Sequence, residues 1–169
     1  PMRALGLMSG TSMDGISVAL VDTDGENELA RGPAMTFPYN TEQRAAIGQA
    51  MAEARSLKSR AERPGSIAVT EIMLTELHAA AVSAFVRHQG IPRGDIEVVG
   101  FHGQTVLHRP DEGLTVQLGD GGLLAELTGL TVVHDLRARD VDAGGQGAPL
   151  VPVYHRALVA GIAQRPIAV

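Results

Sequence analysis

Hydrophobic and polar positions alternate in two different ways along the chain, and together they predict interleaved strands and helices. In some segments the hydrophobic residues recur at every second position or form short continuous runs, as in β-strands. In others they recur every third or fourth position, as on the buried face of a helix. The predicted strands cover residues 3–9, 16–22, 28–37, 96–101, 114–118 and 130–133. The predicted helices cover residues 41–54, 67–88, 120–128 and 150–161.

Residue types at the helix ends sharpen these boundaries. Thr41 is predicted to cap the first helix, because its hydroxyl can accept a bond from a free N–H of the first turn. Gly90 and Pro92 are predicted to end the long second helix. The polar residues 55–65 between these helices predict a loop. Pro152 is compatible with the last helix only in its first turn.

The order of these elements predicts the fold class. Three strands come first, then two helices, and strands and helices alternate afterwards, which is typical of an α/β layer fold with a mixed sheet flanked by helices. A length of 169 residues fits one domain. Residues 165–169 resemble the start of a further strand, so we expect that the chain is truncated.

Composition and charge exclude several classes of function. The net charge is −5 and no run of basic residues offsets it, which disfavours nucleic acid and anionic membranes as partners. Cysteine is absent, so the chain has no disulfide and no thiolate zinc site. The apolar run at residues 4–8 is too short for a signal peptide or a membrane span. We therefore expect a soluble, cytoplasmic protein.

Twenty glycines are more than the turns of such a domain need, and several cluster beside polar residues. The first cluster, residues 10–15 (GTSMDG), lies between two predicted strands. It has no lysine and leads into a strand, so it is not a Walker A loop. Its backbone N–H groups and the hydroxyls of Thr11 and Ser12 can still bind an anion, and Asp14 can hold Mg²⁺ through water. An ordinary hairpin turn is the alternative.

The second cluster is His102-Gly103-Gln104-Thr105, predicted at the end of a hydrophobic strand. Ligands in open α/β sheets bind beyond the carboxyl ends of strands, so His102 and Gln104 are candidates to face a ligand. A polar strand end with a capping histidine is the alternative. A metal site formed by His102 and His108 would lack a third ligand at a suitable spacing.

The third cluster combines residues 135–140 (DLRARD) with the glycine-rich residues 144–150 before the last predicted helix. A helix N-terminus and loop N–H groups favour an anion, and arginine can bind a carboxylate or phosphate with two bonds. Asp140 is a candidate general base. A solvated network of ion pairs is the alternative.

Four segments, in this order and spacing, resemble the anhydro-N-acetylmuramic acid kinase family. They are residues 7–15 (LMSGTSMDG), 100–105 (GFHGQT), 116–120 (VQLGD) and 139–152 (RDVDAGGQGAPLVP). The resemblance implies the actin-like ATPase (ribonuclease H-like) fold shared by sugar kinases and Hsp70, with two lobes around an ATP cleft. It also implies that residues 1–169 are the N-terminal lobe and that the C-terminal lobe is absent.

The resemblance implies an ATP- and Mg²⁺-dependent kinase that usually acts as a homodimer. The family opens the 1,6-anhydro bond of anhydro-N-acetylmuramic acid with water and transfers the γ-phosphoryl group of ATP to O6. The product, N-acetylmuramic acid 6-phosphate, enters peptidoglycan recycling. Because the second lobe should supply the adenosine pocket and a second phosphate loop, we expect this chain alone to be inactive.

The resemblance also assigns roles to single residues. The implied phosphate loop consists of Gly10, Thr11, Ser12, Met13, Asp14, Gly15, Ile16 and Ser17, with Asp14 near the metal. The implied sugar pocket contains His102, Gln104, Gln117, Arg139, Asp140 and Gln146. The general base is expected in the absent half, with Asp140 as the candidate in this chain. Two positions depart from the family pattern: Ser17, where Asp is frequent, and His134, where a small residue is commoner.

A non-catalytic, Hsp70-like nucleotide-binding module is the alternative function. Such a module has no need of a sugar-binding arginine and glutamine in residues 139–149, so this segment favours the kinase.

Overall fold

A six-stranded mixed sheet flanked by helices forms the domain in the computed structural model, which describes residues 1–160. The strands are β1 (Met2–Ser9), β2 (Gly15–Thr23), β3 (Leu29–Pro38), β4 (Val98–Arg109), β5 (Leu114–Leu118) and β6 (Val132–His134). The helices are α1 (Thr41–Ala54), α2 (Ile67–Gln89), α3 (Gly121–Thr128), α4 (Leu136–Asp142) and α5 (Pro152–Val159). Short 3₁₀ turns cover Arg93–Asp95 and Pro110–Glu112. The predicted α/β class with a mixed sheet is confirmed.

Strand β4 is the centre of this sheet. The order is β3-β2-β1-β4-β5, and β6 also pairs with β4. β1, β2 and β3 are antiparallel to one another, whereas β1 and β6 run parallel to the first half of β4. β5 runs antiparallel to its second half. The carboxyl ends of β1 and β6 therefore meet the middle of β4, and polar segments follow both ends.

The core lies where the sheet packs against the helices. Alternate side chains of β1 and β2 are buried, among them Leu5, Leu7 and Val18, as their period of two predicts. Helix α2 contributes Leu74 and Phe85, both fully buried. Each such side chain stabilises the fold by about 1.5–3 kcal/mol through the hydrophobic effect.

Most predicted boundaries hold, but the cap of α1 was predicted one residue too late. Asn40, not Thr41, is the N-cap: Asn40 Oδ1 accepts the N–H of Gln43 at 2.8 Å, and Gln43 Oε1 accepts the N–H of Asn40 at 2.9 Å. This reciprocal capping box leaves Thr41 as the first helical residue. Gly90 ends α2 with φ of 63°, and Pro152 is the first residue of α5, both as predicted.

Two elements differ from the prediction. Strand β4 does not end at residue 101 but continues to Arg109. The segment 135–147, predicted as a polar glycine-rich loop, contains helix α4, whose Ala138 and Val141 are buried. Residues 165–169, predicted to begin a further strand, lie outside the described residues.

Helix α2 is the one described helix that could cross a membrane by length and composition, with a mean hydropathy of 1.3 over its most apolar window. Ten of its residues, including His78 and Phe85, are buried in this domain. A buried core helix passes the same test, so α2 is explained by packing within the fold.

Candidate functional site

Residues 10–14, here called the β1–β2 turn, offer several hydrogen-bond donors to solvent. The N–H of Met13 donates to the carbonyl of Gly10 at 3.0 Å, which closes the turn, and Met13 has φ of 56°. Among the described residues, the N–H groups of Thr11, Ser12 and Asp14 donate to no protein acceptor. The three side chains are exposed. Free amides and hydroxyls in one turn suit an anion, and the Asp14 carboxylate beside them suits a hydrated cation.

The rest of the predicted phosphate loop belongs to the sheet. Gly15 is required by packing, because a Cβ there would lie 2.3 Å from the carbonyl oxygen of Phe37 on β3. Ile16 is buried in the core. Ser17, which departs from the family pattern, has a hydrogen-bond partner on the next strand: its Oγ lies 3.2 Å from Thr36 Oγ1 on β3. Residues 10–14 are thus the part of the segment that is open to a ligand.

A β-bulge interrupts β4 at the second polar cluster. The register pairs Leu7 with Phe101 and Ser9 with Gln104, so β4 has two residues where β1 has one. Gly103 has φ of 68°, a conformation that glycine adopts without strain. The cluster therefore lies inside a strand and not at its end, which corrects the predicted location.

Gln104 and Ser9 meet at this bulge. Both side chains are completely buried. Gln104 Oε1 accepts the hydroxyl of Ser9, and Gln104 Nε2 donates to the carbonyl of Thr105 at 3.3 Å. Gln104 thus turns its amide into the core, where it bonds the residue that precedes the β1–β2 turn.

His102 takes a different partner, on helix α4. Its Nε2 accepts the Nε–H of Arg137 at 2.9 Å, and because arginine is only a donor, this nitrogen carries no proton. The Nδ1–H therefore donates to the carbonyl of Gly103 at 2.8 Å. Burial lowers the pKa of His102, and the Arg137 charge acts in the same direction. The neutral form with its proton on Nδ1 is the one that fits these contacts.

Arg137 and Asp140 hold the loop that follows α4. Arg137 Nη1 donates to the carbonyl of Gly147 at 2.7 Å, and the N–H of the same glycine donates to Asp140 Oδ2 at 2.7 Å. The N–H of Gly145 donates to the backbone carbonyl of Asp140 at 2.8 Å. Charged partners make the first two bonds stronger than neutral ones. Through His102 and Arg137, the second and third polar clusters are in direct contact.

The remaining predicted sugar-pocket residues lie around this network. Arg139 is exposed and lines an open depression between α4 and Leu150. Gln146 is exposed. Gln117 is half-buried on β5, and its Nε2 donates to Thr115 Oγ1 at 2.9 Å. It borders a polar pocket that reaches Asp120 and Asp135 at the ends of β5 and β6.

That pocket is built on an ion pair that the sequence did not reveal. Glu71 of α2 accepts two bonds from Arg63, Nε at 2.7 Å and Nη2 at 2.8 Å, and one from the N–H of Gly119 at 3.1 Å. The pair therefore fastens the β5–α3 turn to α2. His134 also borders the pocket and packs so closely on Gly121 that a Cβ there would overlap its ring. This contact explains the glycine at position 121, and nothing in the structure explains the histidine at position 134.

His78 is a second residue that sequence patterns missed. Its ring is completely buried, with the Nδ1–H donating to the carbonyl of Leu74 at 2.7 Å and Phe101 packed edge-on at 4.9 Å. Burial lowers the pKa of His78 to about 4. It is therefore neutral at physiological pH, and it belongs to the core beneath β4.

The metal site weighed for His102 and His108 has no support in the described part of the chain. No group of three or more histidine, aspartate or glutamate side chains there could hold a metal ion. Both ring nitrogens of His102 are engaged by Arg137 and Gly103.

Comparison with known proteins agrees with the resemblance. A sequence model of the family described as "Anhydro-N-acetylmuramic acid kinase" matches residues 2–169. A protein of that name from Azorhizobium caulinodans is 57% identical over 169 residues, covering 99% of this chain and 46% of the relative. Its namesakes from Agrobacterium fabrum and Rhizobium etli are 55% and 57% identical, covering 94% and 92% of this chain and 43% and 42% of theirs. The chain thus spans less than half the length of the curated relatives it matches.

Proposed function

This chain belongs to the anhydro-N-acetylmuramic acid kinase family, and we propose that it is the N-terminal lobe of a two-lobed, actin-like sugar kinase. The complete enzyme converts 1,6-anhydro-N-acetylmuramic acid, water and ATP to N-acetylmuramic acid 6-phosphate and ADP. The reaction serves peptidoglycan recycling in the cytoplasm. The complete enzyme acts as a homodimer with Mg²⁺, and this lobe alone is inactive.

The free amides of the β1–β2 turn carry the proposal. Phosphoryl transfer depends on positioning and on neutralising the charge of the phosphate oxygens. The unpartnered N–H groups of Thr11, Ser12 and Asp14 supply neutral donors for those oxygens. The exposed carboxylate of Asp14 would hold Mg²⁺ through water, and the metal would supply positive charge beside the phosphates.

The sugar binds beside the network that joins β4 to α4. Arg139, with its exposed guanidinium, binds the lactyl carboxylate of the substrate, since arginine pairs with carboxylates through two parallel bonds. His102 belongs to that network and Gln146 to the loop after α4, whereas Gln117 lines the separate polar pocket at the end of β5. Gln104 is buried and bonds Ser9. The anionic substrate and the cationic side chain thus give the pocket its selectivity.

Opening the anhydro bond requires a base that activates water while positive charge develops at the anomeric carbon. The O6 atom released at that step accepts the phosphoryl group. Asp140 is the candidate carboxylate in this lobe, but its Oδ2 already accepts the Gly147 N–H. We therefore assign Asp140 to positioning the loop, and the general base to the half of the protein outside this chain.

Two measurements on the full-length protein test the proposal. Mass spectrometry should detect N-acetylmuramic acid 6-phosphate after incubation with ATP, Mg²⁺ and the anhydro sugar. Hydrogen exchange should show that ADP with Mg²⁺ protects the amides of residues 10–14. Absence of both the product and the protection would refute the kinase function, and an active 169-residue chain would refute the proposal that the lobe is incomplete.

The Arg139→Ala variant of the full-length enzyme tests the sugar-binding role. Losing a charge-assisted bidentate contact should raise the KM for the sugar by about 10- to 100-fold, with little change in the KM for ATP. Arg156, on the neighbouring helix α5, provides the matched control as Arg156→Ala. An unchanged KM for the sugar in Arg139→Ala would contradict the assignment.

A further inference from the structure

Tyr39, which has no assigned role, touches both ends of the β1–β2 turn. Its hydroxyl lies 2.8 Å from Oγ of Ser9, the residue immediately before the turn. Its backbone N–H donates at 3.1 Å to the carbonyl of Asp14, the last residue of the turn. One residue, 25 positions beyond Asp14 in the chain, therefore spans the described segment whose free amides are proposed to receive a phosphate.

The donor and acceptor roles in this contact follow from elimination. Ser9 has a single hydroxyl proton, and Gln104 Oε1 can only accept, so the Ser9 proton goes to Gln104. The Tyr39 hydroxyl must then donate to Ser9 Oγ. The result is a directed row of bonds from Tyr39 through Ser9 to Gln104.

All three side chains in this row of hydrogen bonds are buried. Ser9 and Gln104 are 0% exposed and Tyr39 is 4% exposed, so water cannot replace a lost partner without opening the core. Gln104 reaches Ser9 only because the Gly103 bulge shifts the register of β4 against β1. The central strand and the segment before α1 thus both fix where the turn begins.

We infer that Tyr39 is a positioning residue for the β1–β2 turn, acting with Ser9 and Gln104 to hold its free amides in the geometry that receives the nucleotide phosphates. This inference rests on the proposed phosphate-binding role of that turn. The three side chains do not contact the nucleotide themselves. They act through the position of residues 10–14.

Tyr39→Phe in the full-length enzyme is the decisive variant, because it keeps the ring and the backbone bond to Asp14 and removes only the hydroxyl. Exchange of the Met13 amide, which closes the turn by donating to the Gly10 carbonyl, should become faster by roughly 3- to 10-fold, the usual worth of one buried hydrogen bond. The affinity for ADP with Mg²⁺ should fall by a similar factor. The KM for the sugar should stay within about twofold of the wild-type value.

Tyr154→Phe is the matched control, since Tyr154 is the only other tyrosine of the chain and is 40% exposed on α5. In this control, the exchange rate of the Met13 amide and the affinity for ADP should equal those of the wild type. Ser9→Ala and the double variant Ser9→Ala/Tyr39→Phe complete a cycle. If the row acts as a unit, the double variant should lose little more ADP affinity than Ser9→Ala alone.

The outcomes separate this inference from the proposed function. If amide exchange in the β1–β2 turn and ADP affinity are the same in Tyr39→Phe as in the wild type, the positioning role is overturned. A variant that only melts at a lower temperature, with turn exchange unchanged, would overturn it as well. Faster turn exchange in Tyr39→Phe, together with no protection of the wild-type turn by ADP, would support positioning by Tyr39 and refute phosphate binding.

Discussion

Replacing Asp140 distinguishes a loop-positioning carboxylate from a general base. In the structure its Oδ2 accepts the Gly147 N–H at 2.7 Å. An asparagine side chain can turn its carbonyl oxygen to the same N–H, so Asp140→Asn replaces a charged acceptor by a neutral one. An alanine leaves the Gly147 N–H without a partner. The two variants therefore differ if Asp140 positions the loop and agree if it is the base.

The magnitudes follow from the bond types. A hydrogen bond to a charged group contributes about 1.5–3 kcal/mol and a neutral one about 0.5–1.5 kcal/mol. Asp140→Asn should therefore weaken the interaction with the Gly147 N–H by about 1–1.5 kcal/mol. This corresponds to a decrease of roughly 5- to 13-fold in kcat/KM of the full-length enzyme. Asp140→Ala should lose more, since the buried side of the Gly147 peptide group remains unsatisfied. Removal of a general base would instead lower kcat by about 10²- to 10⁴-fold in both variants.

The assay is steady-state kinetics of both variants beside Asp142→Asn. Asp142 lies on the same helix, exposed and paired with Arg60 at 3.2 Å, and an exposed pair of this kind contributes about 0–1 kcal/mol. The control should therefore keep wild-type kinetics. A loss above about 100-fold in Asp140→Asn, equal to that in Asp140→Ala, would identify Asp140 as the base and refute its assignment to loop positioning.

Two further predictions concern stability, measured by urea unfolding. The pKa of His78 is about 4 in the folded state and 6.5 ordinarily, so between pH 6.5 and 4 the unfolded chain binds a proton that the folded chain does not. The contribution of neutral His78 to the free energy of unfolding is therefore complete above pH 6.5 and is lost as pH falls to 4. The free energy of unfolding of the wild type should fall by roughly 3 kcal/mol over this range through His78, and that of His78→Leu should depend less on pH. Equal pH dependence in the two proteins would contradict the burial of a neutral ring. Gly103→Ala should destabilise by about 2–4 kcal/mol, because φ is 68° and the new Cβ would lie 2.5 Å from the Leu118 carbonyl oxygen. Gly113 has φ of 67° with no atom within 4 Å of an added Cβ, so Gly113→Ala should cost only about 1 kcal/mol. Equal losses in the two variants would show that the structure relieves the contact between the new side chain at residue 103 and Leu118.

Local patterns predicted the elements that carry a strong periodic signal. Strands β1 and β2 bury every second residue, and α2 is long enough for its apolar face and terminal Gly90 to be unambiguous. Helix α4 was missed because it has only seven residues, of which Ala138 and Val141 alone are buried. A pattern of two positions among charged residues is indistinguishable from a polar loop.

The contacts of the site were not predictable, because they join residues that are distant in the sequence. The bond from Ser9 to Gln104 spans 95 positions and the bond from Arg137 to His102 spans 35. The polar clusters themselves were visible from their composition. Which members bind each other and which remain open to a ligand depends on strand register, for which a single sequence contains little signal.

The bulge at Gly103 shows how one backbone feature decides that register. In a regular strand the side chains of His102 and Gln104 would lie on the same face of the sheet. The additional residue in β4 instead lets Gln104 reach Ser9 while His102 bonds Arg137. The β1–β2 turn and the loop after α4 are thereby fastened to Gln104 and His102, the two residues of the central strand that flank Gly103. Because both fastenings depend on the left-handed backbone of residue 103, a side chain there should disturb nucleotide and sugar binding together, although neither ligand is proposed to contact it.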